Sequence, residues 1–381
     1  VEKEEETSFR KLATIQKITN ITPIEGADKI AVAHVLGWEV VIRKEEFNVG
    51  DLCVYVETDS IMPALPEFEF LKERKYRVRL IRLRKQVSQG LCLPLSVLPK
   101  KSFGSYREGN DVTEALGVVK YDPEAAKEAR LQAIQDSVHK NRIDKFLKRY
   151  AWYRRFFTKA GHRGWPKFIK KTDEERIQRI PNICEREKGT IFTATEKLDG
   201  QSATYSLLKL KRRFWHFKQQ YQFIVCSRNI HLKTPNNSSY WTIAKQINVE
   251  NILKQLIFDN DEFIVLQGEI IGEGIQNNKY KIKGYDFYAF NLIHSLTGLD
   301  DYTTMEHDLN PHNVKCVPLV TNNFILNEDI SKCVEASKGK SVLQKIHREG
   351  LVLRNYQKGI SFKIINPDFL LQYQDEIIEE E

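Results

Sequence analysis

Between about residues 9 and 98 apolar and polar residues alternate in short runs separated by turn signals. The stretch RKLATIQKITNI alternates, PIEGADKI carries turn residues, and AVAHVLGWEVVIRK sets two strand-like runs around a glycine. FNVGDLCVYVETDSIMP gives another run that ends in a polar turn, and YRVRLIRLRKQVSQGLCLPLSVLP continues the pattern. The spacing predicts roughly five short strands in a unit of about 90 residues. From about Tyr121 to Lys171 the pattern turns helical, basic and aromatic, and Asp122-Pro123 followed by Glu124 marks a helix start. Beyond about Thr172 strands and helices mix without a βαβ repeat, which predicts an α+β domain on antiparallel sheet.

The expected fold class is therefore multidomain, a β-barrel plus α+β. A small barrel such as an OB-fold is the most economical form of the first unit, with a β-sandwich as the alternative. The expected boundaries are 1–118 for the barrel, 119–171 for a helical basic bridge and 172–381 for the α+β domain. A chain of 381 residues has room for such units. No apolar run approaches the roughly 20 residues that a membrane helix needs.

Charge and cysteines narrow the setting. The opening VEKEEETSFRKL is acidic and hydrophilic, unlike a secretory leader, and its first Val suggests a trimmed start. Net charge is +8, and because acidic residues collect at both ends the interior is more basic than the total. That balance suits a polyanionic partner. The six cysteines show no CxxC or Cys/His cluster, which argues against structural zinc and a disulfide scaffold. The expected location is intracellular, in the cytoplasm.

The chemistry concentrates in IFTATEKLDGQSATYSL, where a β-branched run reaches Lys197 and turns through Asp199 and Gly200. A polar hairpin tip explains the pattern blandly. The sharper explanation is a lysine nucleophile for a phosphoryl group, with a carboxylate managing metal-bound water. Further positions follow in order: Arg228 in CSRN after a strand, Glu269 in EFIVLQGEIIGEG before a glycine-rich loop, and the aromatic strand YDFYAFNLI. Then come Glu349 in HREGLVLR ahead of a strand, and Lys363 in ISFKIIN. Each is tied to a strand or a strand end, so one pocket can gather them.

This ordered set resembles the covalent nucleotidyltransferases, the polynucleotide ligases and mRNA capping enzymes, over about residues 172–366. Members similar to it that are DNA ligases or capping enzymes usually carry an OB domain after the last lysine strand. Here only 18 residues follow Lys363. The barrel-like unit lies in front, and PIEGADKIAVAHVLGWEVVIRK through GDLCVYVETDSIMP resembles the N-terminal domain of the Naegleria-type ATP-dependent RNA ligases. TDEERIQRIPNI also resembles nick-sealing and RNA-editing RNA ligases. The resemblance implies an N-terminal OB-fold followed by an antiparallel-sheet, ATP-grasp-like nucleotidyltransferase domain.

It also implies roles. Lys197 is the nucleophile that forms a lysyl-AMP and releases pyrophosphate, and Asp199, Glu269 and Glu349 orient water on Mg²⁺ or Mn²⁺. Phe290 stacks on adenine with Val352 on the other side, Glu196 meets the adenine edge, and Arg228 meets the ribose or the RNA end. Lys363 contacts the α-phosphate and Arg176 the β- or γ-phosphate. Alternating aromatics are also ordinary core, so Phe290 has a second explanation. The family's K-x-K pair reads Ser361-Phe362-Lys363 here, with Lys358 or Arg354 as candidates for the missing cation.

Two basic segments complete the reading. Arg77, Arg79, Arg82 and Arg84 form an expected basic edge that tracks phosphates, or equally a charged edge strand that prevents sheet pairing. The bridge either binds nucleic acid or packs its aromatics on a neighbouring domain. The implied activity is ATP-dependent joining of RNA 3′-hydroxyl and 5′-phosphate ends by a monomer with no membrane partner. The alternatives are a guanylyltransferase of the capping type, a DNA ligase, or a non-catalytic RNA-binding protein on the same scaffold.

Overall fold

The computed structural model describes residues 11–99, 106–121, 165–210, 219–232 and 237–373. Most of the expected bridge, 122–164, lies outside the described residues.

Among the described residues eleven short strands make up the N-terminal part. They are β1 (Ala13–Lys17), β2 (Asn20–Pro23), β3 (Ile30–Val35), β4 (Trp38–Arg43), β5 (Leu52–Val56), β6 (Ser60–Ile61), β7 (Arg77–Val78), β8 (Leu80–Leu83), β9 (Gln86–Gln89), β10 (Leu91–Leu93) and β11 (Val119–Lys120). Alternation sets one face of each strand inward, and the two larger clusters fill most of the interior. One gathers Ile15, Val54, Val56, Met62 and Phe68, the other Val35, Trp38, Val40, Phe47 and Tyr55. A two-residue turn with positive φ at Leu36 and Gly37 joins β3 to β4, which suits the twist of a hairpin.

Two expectations need correction here. Among the described residues the strands pair as four short sheets, β1-β5-β10, β2-β3-β4, β11-β6-β7 and β8-β9, and not as one closed barrel of about five strands. The basic edge is also broken, because β7 and β8 belong to different sheets with Arg79 between them. Arg77 is buried, Arg79 is half-buried, and only Arg82 and Arg84 are exposed. A period-2 pattern cannot show that a strand changes sheet partway along.

The C-terminal part is built on two sheets whose strands pair antiparallel except for one short parallel pair at Lys315–Cys316. Strands β12 (Ile191–Lys197), β19 (Leu319–Ile325), β20 (Gly350–Asn355) and β21 (Ile360–Ile365) make the first, in the order β19-β12-β20-β21. The second runs β14 (Tyr221–Cys226), β13 (Gln201–Lys209), β15 (Phe263–Gly272), β16 (Tyr285–His294) and β17 (Gly298–Leu299), with β18 (Lys315–Cys316) also paired to β16. Helices α1 (Ser239–Gln246), α2 (Val249–Leu256) and α3 (Tyr302–Leu309) add apolar residues to the core of the second sheet. Cys333 and the half-buried Ile330 and Val334 of α4 (Ile330–Ser337) join Phe192, Leu353 and Phe362 behind the first.

β12 and β13 are consecutive in the chain, yet they do not pair with each other. The turn Leu198-Asp199-Gly200 is thus no hairpin tip, and it carries the chain from one sheet to the other. Among the described residues no helix is long and apolar enough to cross a membrane.

Candidate active site

A cleft of about 350 Å³ opens between the two sheets. The first sheet contributes Glu196 and Lys197 from the end of β12, Val352 and Arg354 from β20, and Lys363 from β21. Ladder register explains the clustering: Lys197 faces Gly350, the residue after Glu349, and Val352 faces Lys363. The second sheet contributes Ser202, Glu269 and Phe290, with Ser202 opposite Glu269. Arg228 follows β14, and Arg176 lies just before a short turn at Ile177–Arg179.

Phe290 owes its place to a β-bulge. Gln267 pairs with Asn291 and Gly268 with Ala289, so Phe290 is the extra residue on β16 and turns into the cleft. Periodicity alone places it in the core; the bulge takes it out of register.

Charge dominates the floor. Lys197 Nζ donates to Glu349 Oε2 at 2.6 Å. Burial pushes the Lys197 pKa down, but the Glu349, Glu269 and Asp199 carboxylates outweigh it and hold the amine protonated. Burial raises the Glu349 carboxyl, with Lys197 opposing. Asp199 Oδ2 accepts from Lys279 Nζ at 2.6 Å. Burial, with the Lys197 and Arg176 charges, brings Lys363 down to about 7. Burial also raises Glu196, whose Oε2 accepts from the Val342 N–H at 2.9 Å. Arg228 pairs with Asp173 at 2.5 Å; burial lifts the Asp173 carboxyl, and Arg228 and Lys363 pull it below its usual range.

The N-terminal unit completes the wall. Asp59, Arg77, Lys120 and Tyr121 line the same cleft. Arg77 donates to Asp59 at 2.6 Å and lies over the Tyr121 ring, while Arg176 reaches Thr58 and Asp59 at 3.4 and 3.9 Å. Of the four arginines expected on the basic edge, only Arg77 enters the cleft. Arg82 meets Asp368 and Arg84 the Gly26 carbonyl.

Carboxylate oxygens suit a hard divalent cation. Among the described residues no group of three or more His, Cys, Asp or Glu side chains is close enough to hold one directly. Asp199 and Glu349 each carry a lysine ammonium instead, and positive charge already balances both. Asp199, Glu269 and Glu349 nevertheless line one cleft, where each could accept from water on a cation not held directly.

A family model described as RNA ligase matches residues 190–365, and one described as an OB-fold domain matches residues 12–95. Three solved structures of Naegleria gruberi RNA ligase align over 96% of this chain and 100% of theirs. One, a variant with AMP and Mn, is 33% identical with a TM-score of 0.74. A variant with ATP and Mn is 32% identical at 0.75, and the form with pyrophosphate is 32% identical at 0.74. The chain belongs to the ATP-dependent RNA ligase family. No curated protein sequence matches it significantly.

All ten residues singled out for the nucleotide site of this ligase line one cleft: Arg176, Glu196, Lys197, Asp199, Arg228, Glu269, Phe290, Glu349, Val352 and Lys363. The two candidates for the missing cation of the last motif differ in place. Arg354 lines the cleft and donates to Glu174 at 3.0 Å, whereas Lys358 points to Glu187 and Thr190. Sequence reasoning missed Lys279 and the aromatic pair Phe369 and Tyr373 that also line the ligase cleft. They follow no strand pattern, and nothing local links residue 279 to residue 373.

Proposed function

We propose that this chain seals RNA ends in three transfers: AMP from ATP to Lys197, AMP from Lys197 to an RNA 5′-phosphate, and attack by a 3′-hydroxyl that releases AMP. The observation that carries this reading is Lys197 at the junction of two sheets, ringed by three carboxylates and one lowered lysine in a single cleft. A bound Mg²⁺ or Mn²⁺ would offset charge on the reacting phosphate and on these carboxylates.

The chain's own residues do the rest. Lys197 becomes nucleophilic only when its proton leaves, and Glu349 at 2.6 Å is the nearest acceptor. As the Nζ–P bond forms and the bond to pyrophosphate breaks, Lys363 and Arg176 are the cations that face the phosphates. Phe290 and Val352 flank the base, and Glu196 meets its edge. Arg228 meets the ribose or the RNA end, and Arg79, Arg82 and Arg84 offer contacts to the RNA backbone.

In this reading the OB unit runs through β11 to about residue 121, slightly past the expected 118, the bridge reaches 171 and residues 172–381 form the transferase domain. The ligase acts as a monomer, in a reducing cytoplasm.

The test is intact mass after incubation with ATP and Mg²⁺, beside a GTP sample. One AMP should be gained and lost again on adding pyrophosphate, and Lys197→Ala should gain none. AMP retained on Lys197→Ala removes the lysine from its role, and a GMP adduct with no AMP adduct points to capping chemistry. Sealing of an all-DNA nick in preference to one with RNA ends makes the substrate DNA.

A further inference from the structure

Lys279 lies in QNNKYKIKG, on the loop between β15 and β16, outside every motif of the family pattern. Its side chain is only 5% exposed. The ammonium donates to Asp199 Oδ2 at 2.6 Å and to the Gln276 carbonyl at 3.0 Å. Two aromatic rings border it, Phe369 at 5.7 Å and Tyr373 at 5.3 Å, close enough for cation–π attraction. The next residue, Tyr280, accepts the Asp199 backbone N–H at 3.0 Å. Consecutive residues therefore fix both the backbone and the carboxylate of Asp199.

The support behind Lys279 is itself anchored. Asn278 pins the loop by accepting from the Ile282 N–H and donating to the Ile282 carbonyl, at 3.0 and 2.9 Å. Both rings stand on α5 (Pro367–Tyr373), where the Asn366 side chain accepts the Asp368 N–H and Arg82 of the N-terminal unit meets the Asp368 carboxylate.

We propose that Lys279 is a positioning residue for Asp199. Clamped between the loop and α5, it aims the carboxylate into the cleft, keeps it apart from Lys197, and competes with a divalent cation for its charge. The proposal rests on the reading that Asp199 serves that cation.

Full-length wild type, Lys279→Met, Lys279→Arg and Asp199→Ala test it with two readouts. The first is Mn²⁺ binding to nucleotide-free protein, followed by the electron paramagnetic resonance of free Mn²⁺. The second is the rate of AMP transfer to the protein at saturating ATP and Mn²⁺. Lys279→Met should bind Mn²⁺ at least about threefold tighter, because a competing charge is gone. It should also transfer AMP about 10- to 100-fold more slowly, because Asp199 is no longer aimed. Lys279→Arg should recover most of the rate and the wild-type affinity.

An unchanged rate, or a slow variant with unchanged or weaker Mn²⁺ binding, overturns the proposal. Tyr373→Leu, which leaves Asp199 and Lys279 in place, should shift both readouts the same way by less, and it serves should Lys279→Met fail to fold. Wild-type transfer by Asp199→Ala would instead sink the reading of Asp199, whatever Lys279 does.

Discussion

Lys363 illustrates how far a single side chain departs from its sequence identity. Burial and the charges of Lys197 and Arg176 bring its pKa to about 7, from an ordinary 10.5. In the unfolded chain the same amine keeps its proton across that interval, so the unfolded state binds more protons than the folded one between those values. Stability without nucleotide should therefore rise as pH climbs from about 7 towards 10.5 and stay flat below. Urea unfolding at about pH 6 and pH 9 reads this slope. Lys363→Met should remove it and gain about 1 kcal/mol at neutral pH, while losing AMP transfer. At this scale Lys197, Glu349 and Lys363 were legible, because Lys197 closes a β-branched run, Glu349 stands just ahead of an apolar strand and Lys363 lies within one. Lys279 was not, because its meaning depends on Phe369 and Tyr373, some ninety residues further along.

Two elements owe their function to a break in regularity. The turn after Lys197 leads from one sheet to the other, and Gly200 sits where a Cβ would run into the Ile270 carbonyl and the side chains of Ile271 and Glu269. Gly200→Ala should therefore displace Asp199 and Glu269 together. The expected loss is about tenfold or more in AMP transfer and about 1–3 kcal/mol in stability, checked by single-turnover labelling and urea unfolding. On β16 the bulge at Phe290 does the opposite of a defect and brings a ring to the cleft that plain alternation would leave in the core. Strand existence was legible from composition and period. Which strands pair, and where register slips, are set by contacts between distant segments, so the bland alternative of a hairpin tip at Asp199 fell away and the expected unbroken basic edge at Arg77–Arg84 proved to be something else.

Over the whole molecule the two units meet through charge and shape. Glu57 of the N-terminal unit pairs with Arg179, and the Gly37 turn lies against Ile330 of α4. Thr58 and Asp59 hold Arg176, and its guanidinium also lies over Trp38. Glu57→Ala leaves a largely buried guanidinium without that carboxylate, which should loosen the interface by about 1–3 kcal/mol. Faster proteolysis between the units, with a rise in KM for ATP larger than the fall in kcat, is the expected outcome; unchanged cleavage would show that the interface does not depend on this pair. The sequence by itself determined the two-unit order and the antiparallel strand content, since these depend on local period, while its resemblance to the ligase family implied the nucleotide-site residues. Only the tertiary structure decided that the first unit's strands pair as several short sheets, that Arg77 turns inward, that Arg354 and not Lys358 joins the cleft, and that Lys279 holds Asp199. Each of those depends on burial and charge contributed by residues far away in the chain, and the energy of a charged side chain is fixed by what surrounds it once the chain has folded.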